Sequence, residues 1–434
     1  MSDPRKASVS VHYNGKNIDT KLADYLSAFS YTDEASGQGD DISLTINDRD
    51  RKWIKSWFPS KGDTMTATIV MKNWSEEGDT KKLSCGSFVI DDFGFNGTPI
   101  KLKLKAIATP ASTSFKERQR TKTWENTTLE NVGKEIAKRY KMKLYYEVPK
   151  VSIGKIEQSE KDDCSFLNEL VKKYGYAMKI YKSKIVIFNE ATYEKKKAVA
   201  TLTEANIEPS WSWDTRLGKT YTGAKYEYTN NDTNQTFSVT VGGGDRILKV
   251  SEATSSLAEA KQITLAKIND ANKSDTTMSV TLTRANPKII ATSCVTISGF
   301  GKLDGKYYVE KVTWEISSGT KQKLNLRKVK TRFTTCNGLA NNVAKESSTN
   351  TKTAAATTEK KTDKPQTPVK GGQYTLTTTK KGYYTAAEAL AGQATGGHPT
   401  GTRRAGTYII FNISQGMLNL TTKAGVPGSW INPN

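Results

Sequence analysis

The fold of this chain is decided by the stretch Gln158-Ser-Glu-Lys-Asp-Asp-Cys-Ser-Phe-Leu-Asn-Glu-Leu-Val-Lys-Lys-Tyr-Gly-Tyr-Ala-Met-Lys-Ile-Tyr-Lys-Ser-Lys-Ile-Val-Ile-Phe188. An acidic N-cap, Asp162 or Asp163, precedes apolar side chains at helical spacing, and Gly175 supplies a helix stop. The remainder alternates apolar and polar residues on either side of a polar break at 182–184. The sequence therefore predicts a helix over 163–174 followed by two short strands.

Alternating apolar and polar residues dominate the first 108 residues. They mark strands at Ser8–His12, Ser43–Ile46, Met65–Met71, Ser87–Ile90 and Ile100–Ala106. Turn-forming pairs such as Asn14-Gly15 and Asn96-Gly97 lie between these strands. This pattern is typical of a small antiparallel sheet closed on itself or nearly so, and residues 1–108 are predicted to form a first β-barrel.

The pattern becomes mixed over residues 109–198, which are predicted to form an α/β domain. Thr127-Thr-Leu-Glu130 has the spacing of a capping box and precedes an amphipathic helix. A strand and then the helix and hairpin of the opening stretch follow it.

Strands return over residues 199–335, which are predicted to form a second β-barrel. An Ala-rich helix at about 256–272 interrupts them and begins with the capping box Ser256-x-x-Glu259. Asp304-Gly305 is expected at a hairpin tip of type I′, which needs positive φ at both central residues. The predicted fold class is mainly β with α+β insertions, in which two antiparallel barrels flank an α/β domain.

A shift in composition follows residue 335. Residues 336–372 are rich in Lys, Thr, Ser and Ala with few large apolar side chains, so they are predicted to be a flexible linker. Residues 373–434 regain strand character at 374–379, 406–412 and 416–421, and 382–390 has the composition of a short helix. They are predicted to form a small β-rich C-terminal domain.

Composition excludes several classes of protein. The formal charge is +21, but the excess is spread over the chain without a recognition helix or a basic–aromatic motif, so no specific nucleic-acid binding is expected. No apolar run approaches the roughly 20 residues that cross a bilayer, and no secretory signal is visible. Four widely separated cysteines suggest neither a zinc site nor a disulfide framework. We expect the protein to be made and assembled in cytoplasm.

Catalysis has little support in the sequence. The two histidines, His12 and His398, fall in different predicted domains and outside any metal or nucleophile motif. Glu388 is the one carboxylate side chain of residues 373–434, whereas a typical glycosidase needs a pair. Gly242-Gly-Gly244 lacks the Gly-Lys-Ser/Thr ending of a phosphate loop and is interpreted as a turn. We therefore expect no catalytic, cofactor-binding or metal-binding residues and no enzyme activity.

Three blocks of the sequence form a recognisable series. The first is the opening stretch, with its acidic run, Phe-Leu and Tyr-Gly-Tyr. The second is the helix at 258–272 with the segment 295–314, which contains Gly-Phe-Gly and Asp-Gly. The third is 41–50 with Trp53, Trp57 and Pro59. In their order along residues 1–335, the three blocks together resemble the late-control D family of phage tail proteins.

The resemblance implies a structural baseplate hub of a phage tail or contractile bacteriocin. It implies a homotrimer whose six barrels adapt the six-fold tail tube to a three-fold central spike. The implied partners are the tail tube protein, a spike protein on a separate polypeptide, other baseplate proteins and the tape-measure protein. After release the protein would be part of the virion tail or the bacteriocin baseplate.

The end of the chain is similar to C-terminal modules of Gram-positive phage lysins and tail proteins, through Gly425-Val-Pro-Gly-Ser-Trp-Ile-Asn-Pro433. The resemblance implies that residues 373–434 contact peptidoglycan, with Tyr383, Tyr384, Tyr408 and Trp430 as the candidate aromatics. Two alternatives stay open: these aromatics belong to the domain's core, or the domain docks on another tail component. A cell-wall-binding or wall-processing tail protein is the alternative function.

Overall fold

A computed structural model of the chain describes residues 4–18, 22, 24–37, 39–108, 114–230, 235–342, 368, 370–398, 400–423 and 426–433. The chain divides into two units, Met1–Glu346 and Ser347–Asn434, and each is described by itself. Strands predominate in both units, so the predicted mainly β class is confirmed.

The first unit begins with strands along which buried and less buried side chains alternate, as period-two patterning predicts. On the fourth and seventh strands every second side chain is buried. The strands are β1 (Lys6–Tyr13), β2 (Lys16–Asn17), β3 (Leu26–Glu34), β4 (Asp41–Asn47), β5 (Thr64–Lys72), β6 (Thr80–Asn96) and β7 (Lys101–Ile107).

Helices and strands mix in the next segment. Its elements are α1 (Ser114–Glu117), β8 (Gln119–Thr128), α2 (Leu129–Arg139), β9 (Lys143–Glu147), β10 (Ser152–Asp162), α3 (Asp163–Lys173), β11 (Ala177–Tyr181), β12 (Lys184–Phe188) and α4 (Glu190–Lys195). Strand β12 pairs antiparallel with β11 and parallel with β9.

The stretch that opened the sequence analysis folds as predicted into a helix and a hairpin. Asp162 is the N-cap of α3, and its carboxylate accepts a hydrogen bond from the Ser165 backbone N–H at 2.8 Å. Gly175 has φ +82°, and a Cβ there would lie 2.8 Å from the Cβ of Ala266. Glycine therefore both ends this helix and permits the close approach of a later one.

The capping box predicted at Thr127 is wrong by one residue. The N-cap of α2 is Thr128, whose side chain accepts a hydrogen bond from Asn131 N. Thr127 remains in strand β8, opposite Ile153 of β10. Two adjacent threonines offer the same chemistry, and the strand pairing decides between them.

The rest of the first unit is strands with one long helix. The elements are β13 (Ala200–Leu202), β14 (Ser212–Thr215), β15 (Gly223–Asn230), β16 (Gln235–Gly242), β17 (Ile247–Val250), α5 (Leu257–Lys273), β18 (Thr276–Thr281), β19 (Cys294–Ile297), β20 (Gly305–Ile316), β21 (Thr320–Lys328) and β22 (Asn337–Asn342). The Ser256 side chain caps α5 by accepting from Glu259 N, but the Glu259 carboxylate accepts from Ser255 N rather than from Ser256 N.

The type I′ turn predicted at Asp304-Gly305 is wrong. A seven-residue connection with a short 3₁₀ turn joins β19 to β20, and the Asp304 carboxylate accepts hydrogen bonds from Gly299 N and Phe300 N inside it. Asp304 has φ −53°, and Gly305 is already the first residue of β20. The Asp304 carboxylate therefore stabilises a seven-residue loop instead of a two-residue turn.

The two β units are joined in one sheet. Its path is β14-β18-β21-β20-β3-β4-β7-β6-β5-β1-β2, with β13 and β19 attached beside β20. The first half of β20 pairs with β19, and after a bulge near Glu310 its second half pairs with β3 through Lys311–Ile316. The two closed barrels expected from the sequence are therefore not seen among the described strands, because one long strand serves both units.

The hydrophobic cores follow this arrangement. One core combines side chains of both β units, including Phe29, Phe88 and Trp314. A second core combines the α/β segment with α5 and the sheet β17-β15-β16-β22, and it contains Tyr226, Phe237 and Phe166. The chain changes from one core to the other near the predicted boundaries at 108 and 198, but residues 199–335 contribute to both cores. The predicted domain bounds therefore stay a prediction.

Part of the predicted linker is a strand. Residues Asn337–Asn342 form β22, which pairs antiparallel with β16. Most of the remaining linker, 343–367, lies outside the described residues.

The second unit has β23 (Gln373–Leu376), β24 (Lys380–Gly382), α6 (Ala386–Ala391), β25 (Gly401–Arg403), β26 (Gly406–Ser414), β27 (Met417–Thr421) and β28 (Ser429–Ile431). Its main sheet has the order β23-β26-β27-β28, with a small core of apolar residues including Ile410 and Leu418. Strands β23, β26 and β27 and helix α6 overlap the segments predicted from the sequence, whereas β24, β25 and β28 were not predicted.

A buried ion cluster ties three segments of the first unit together. The Lys179 ammonium, on β11, contacts the carboxylates of Asp33 and Asp40 and the carbonyl of Glu34. The other Asp33 oxygen accepts from Ala291 N at 2.8 Å. Burial lowers the pKa of Lys179, but the two carboxylates outweigh it and the net direction is upward. One lysine thus connects the hairpin to the first β unit and, through Asp33, to the second.

The stability of the first unit should depend on pH because of the ionisation of Asp40. Burial raises the pKa of Asp40 to about 7, and one of its oxygens is buried without a hydrogen-bond partner. A raised pKa in the folded state means that protonated Asp40 favours folding, and that this contribution disappears as pH rises through 7. We expect Asp40→Asn to gain stability relative to wild type between pH 5 and pH 8, measured by thermal unfolding. Exposed Asp245→Asn is the control, and a wild-type-to-variant difference equal at both pH values contradicts the assignment.

Candidate functional site

The first unit has a cleft of about 760 Å³. Helices α4 and α5, the end of α3 and the segment 329–334 line it. Lysines supply much of its polar lining, namely Lys150, Lys172, Lys195, Lys273 and Lys330.

A second buried ion cluster includes Glu190, Glu194 and Arg332, which line this cleft. Arg327 is 1% exposed, and its guanidinium lies 2.5 Å from Glu194 Oε1 and 3.4 Å from Glu190 Oε2. Its Nε is 3.0 Å from Glu310 Oε1, and its Cζ lies 4.3 Å above the Tyr308 ring centroid. Arg332 binds both oxygens of Glu194, at 2.6 and 2.8 Å.

The ion pairs of this cluster determine what it can do. Burial alone would raise the pKa of Glu194, but Arg332 and Arg327 lower it below the usual range. A carboxylate held ionised between two guanidinium groups is a poor proton acceptor, and the arginines are always charged. The cluster is suited to fixing α4 on the sheet rather than to acid–base chemistry.

Metal and thiol chemistry also find no assembled site within the ranges that the structure describes. No group of three or more His, Cys, Asp or Glu side chains there is close enough to hold a metal ion. All four cysteines are free thiols; burial raises the pKa of Cys85 and Cys164, that of Cys164 to about 11. No helix in these ranges is both long and apolar enough to cross a bilayer.

The four candidate wall-contact aromatics of the second unit are not brought together. Tyr383 is buried, its hydroxyl donates to the Gly392 carbonyl, and Trp430 packs beside it as the two residues exchange backbone hydrogen bonds. Tyr408 is half-buried on β26, where its hydroxyl donates to the Arg404 carbonyl. Tyr384 is the exception, with 64% of its surface exposed.

A cluster that the sequence did not predict surrounds Tyr384. The ring of His398 lies 4.6 Å from the ring of Tyr384, between centroids, at an interplanar angle of 36°. His398 Nδ1 lies 2.8 Å from the Glu388 carboxylate. Thr385 and Glu388 form a capping box at the start of α6, and this spacing was the available sequence signal for the buried carboxylate. His12, by contrast, lies on β1 in the other unit.

The chain is similar to phage baseplate proteins in sequence. Over 175 residues it is 24% identical to a probable baseplate hub protein of Escherichia phage 186, and over 176 residues it is 24% identical to one of Escherichia phage P2. Each match covers 40% of this chain, and they span 42% and 43% of the two curated relatives, less than half their length. No protein-family model matches the chain.

Solved structures of tail proteins share its fold. A tail protein from Neisseria meningitidis MC58 matches with a TM-score of 0.57 at 13% identity, over 74% of this chain and 96% of that one. The 43 kDa tail protein of prophage MuSo2 from Shewanella oneidensis matches with a TM-score of 0.54 at 12% identity, over 74% and 97%. The resemblance to baseplate hub and tail proteins predicted from the sequence is confirmed.

Proposed function

We propose that this chain is a structural baseplate hub of a phage tail or a contractile bacteriocin. The observation that carries the proposal is the sequence match to two baseplate hub proteins, and the shared tail-protein fold supports it. The first unit has the physical character of a rigid assembly part: one sheet and one core run through both β units. In the described residues, the charged cleft is lined by Glu190 and Glu194, which are paired with Arg327 and Arg332.

The proposed assembly is a homotrimer. Each copy would present two β units, and six such units would continue the six-fold tail tube and meet a three-fold spike. The proposed partners are the tail tube, spike, tape-measure and neighbouring baseplate proteins, and assembly would take place in the bacterial cytoplasm. The shared sheet supports this arrangement, because it fixes the two β units of one copy relative to each other.

Counting copies in assembled particles tests the proposal. We expect three copies of the chain per tail, both for the full chain and for a chain that ends after Glu346, where the first unit ends. A stop codon after Thr335, the predicted end of the second β-barrel, would remove β22. Because β22 pairs with β16, the shortened chain should keep it. Quantitative mass spectrometry of purified tails against the tube protein gives the number. Six copies, or absence of the chain from tails, would contradict the hub assignment.

The second unit is proposed to act later, at the cell wall, through one or more of Tyr383, Tyr384, Tyr408 and Trp430. The exposure of Tyr384 is the observation that favours this role. Particles that carry the chain ending after Glu346 should then assemble but adsorb less well to host cells. Full adsorption by such particles would remove the wall role and leave the hub role intact.

A further inference from the structure

Tyr384 and His398 form the one exposed aromatic pair among the described residues of the second unit. His398 covers one face of the Tyr384 ring, since the centroids are 4.6 Å apart and the planes are tilted by only 36°. Since 64% of Tyr384 is exposed, most of the ring surface that His398 does not cover is open to solvent. An apolar ring surface is thus presented beside two polar groups, the Tyr384 hydroxyl and the His398 imidazole.

A buried carboxylate fixes the position of this pair. Glu388 is 3% exposed and accepts hydrogen bonds from Thr385 N at 3.0 Å, Thr395 N at 2.9 Å and Thr395 Oγ1 at 3.0 Å. The Thr395 N–H is the main reason that the pKa of Glu388 falls to about 2, so the group is ionised at neutral pH. An ionised carboxylate can only accept, so His398 Nδ1 must donate to it, which leaves Nε2 directed away from the carboxylate.

The charge of the unit selects the kind of ligand. Residues 370–433 carry six basic side chains, Lys370, Lys380, Lys381, Arg403, Arg404 and Lys423, against one acidic side chain, Glu388. Because that carboxylate is buried and bonded to His398, the charged side chains that residues 370–433 leave at the surface are cations. A surface of one sign attracts ligands of the opposite sign and raises their association rate.

The geometry points to a saccharide-binding platform at Tyr384 and His398 that takes the pyranose ring of an anionic glycan. The C–H face of the sugar would stack on the open face of Tyr384, and a hydroxyl would donate to His398 Nε2. Glu388 is the positioning residue: it holds His398, and His398 supports Tyr384. A preformed platform of this kind loses little conformational entropy on binding. The inference rests on the wall role proposed above and names its site and ligand class.

Binding of the purified full chain to isolated Gram-positive cell walls tests this site. We expect Tyr384→Ala to weaken binding by about tenfold or more, as loss of one well-placed contact does, and Tyr384→Phe to keep most of it because the ring remains. Leu390→Ala is the matched control, since Leu390 is 53% exposed in the same unit. Melting curves of each variant verify folding. Equal binding by wild type and Tyr384→Ala would overturn the platform.

Two sources of anionic glycan can be separated in the same assay. Walls stripped of phosphate polymers with hydrofluoric acid retain only the carboxylates of peptidoglycan. If the protein still binds stripped walls, the ligand is peptidoglycan; if binding is lost, the ligand is a phosphate polymer. Either result supports the site when binding is also weakened by Tyr384→Ala and by added salt. Binding unaffected by salt contradicts an anionic ligand. If the wild-type protein binds neither wall preparation, both the wall role and the platform are contradicted. If it binds walls but Tyr384→Ala binds equally well, only the platform is contradicted.

Discussion

Replacing Lys179 with Met is expected to lower the free energy of unfolding of the first unit by about 3–5 kcal/mol, the usual cost of removing one partner of a buried ion pair. Lys179 has 13% of its side chain exposed and faces Asp33 and Asp40, which are 7% and 0% exposed. Without the ammonium, two carboxylates would remain close together in a poorly solvated junction. Urea unfolding followed by tryptophan fluorescence measures the loss.

The loss of stability in Lys179→Met should depend on pH. This dependence distinguishes the effect of the lost charge from the effect of lost packing. At pH 5 Asp40 can take up a proton in the variant, which relieves part of the repulsion, whereas at pH 8 both carboxylates tend to ionise. We expect a larger loss at pH 8 than at pH 5, and partial recovery in Lys179→Met with Asp40→Asn. Lys182→Met, at the exposed tip of the same hairpin, is the control. A loss that is the same at both pH values would mean that Lys179 acts through its methylene chain.

Replacing Arg327 with Met is expected to destabilise the first unit by a similar amount, about 3–5 kcal/mol. Arg327 neutralises Glu190 and Glu194 on α4 and lies against the Tyr308 ring. Its loss should free α4 from the sheet before the rest of the unit unfolds, because Arg332 and Lys273 alone would then hold the two glutamates. Hydrogen exchange of peptides from 190–195 should rise more than exchange of peptides from β4 or β7.

A matched pair of variants makes this test specific. Arg327→Lys keeps the charge but lacks the planar fork that reaches two glutamates at once, so we expect it to recover only part of the stability. Lys323→Met removes a cation from the exposed face of the same strand and should have little effect, as surface charges contribute about 0–1 kcal/mol. Full recovery by lysine would show that charge alone, without bidentate geometry, stabilises α4.

Local features of this fold could be predicted from the sequence. The start of α3 at Asp162, its end before Gly175 and the hairpin over 177–188 depend on residues within a few positions of one another. Capping residues and hydrophobic periodicity therefore specify these elements. An error such as Thr127 instead of Thr128 as N-cap shifts a helix by only one residue. Strands β23, β26 and β27 of the second unit could be predicted for the same reason, whereas the three-residue strands β24, β25 and β28 could not.

Features that depend on distant residues could not be predicted. Alternation along β21 places Arg327 on the same face as the exposed Lys323, yet Arg327 is buried because α4 covers that end of the strand. The pairing of β20 with β3 has no local signature either, so a shared sheet was interpreted as two closed barrels. In the candidate site, His398 was treated as isolated because its contacts with Glu388 and Tyr384 depend on a loop conformation.

The pairing of β3 with β20 has a consequence for synthesis of the chain on the ribosome. Glu34 and its partner Lys311 are 277 positions apart. At about 5–20 residues per second, the side of β3 that β20 will cover stays unpaired for tens of seconds while the intervening residues are made. Several nascent copies on one messenger therefore expose the same open strand edge at the same time, and such edges are templates for pairing between chains. The nascent chain is therefore prone to aggregate through β3 until residues 311–316 have emerged from the ribosome.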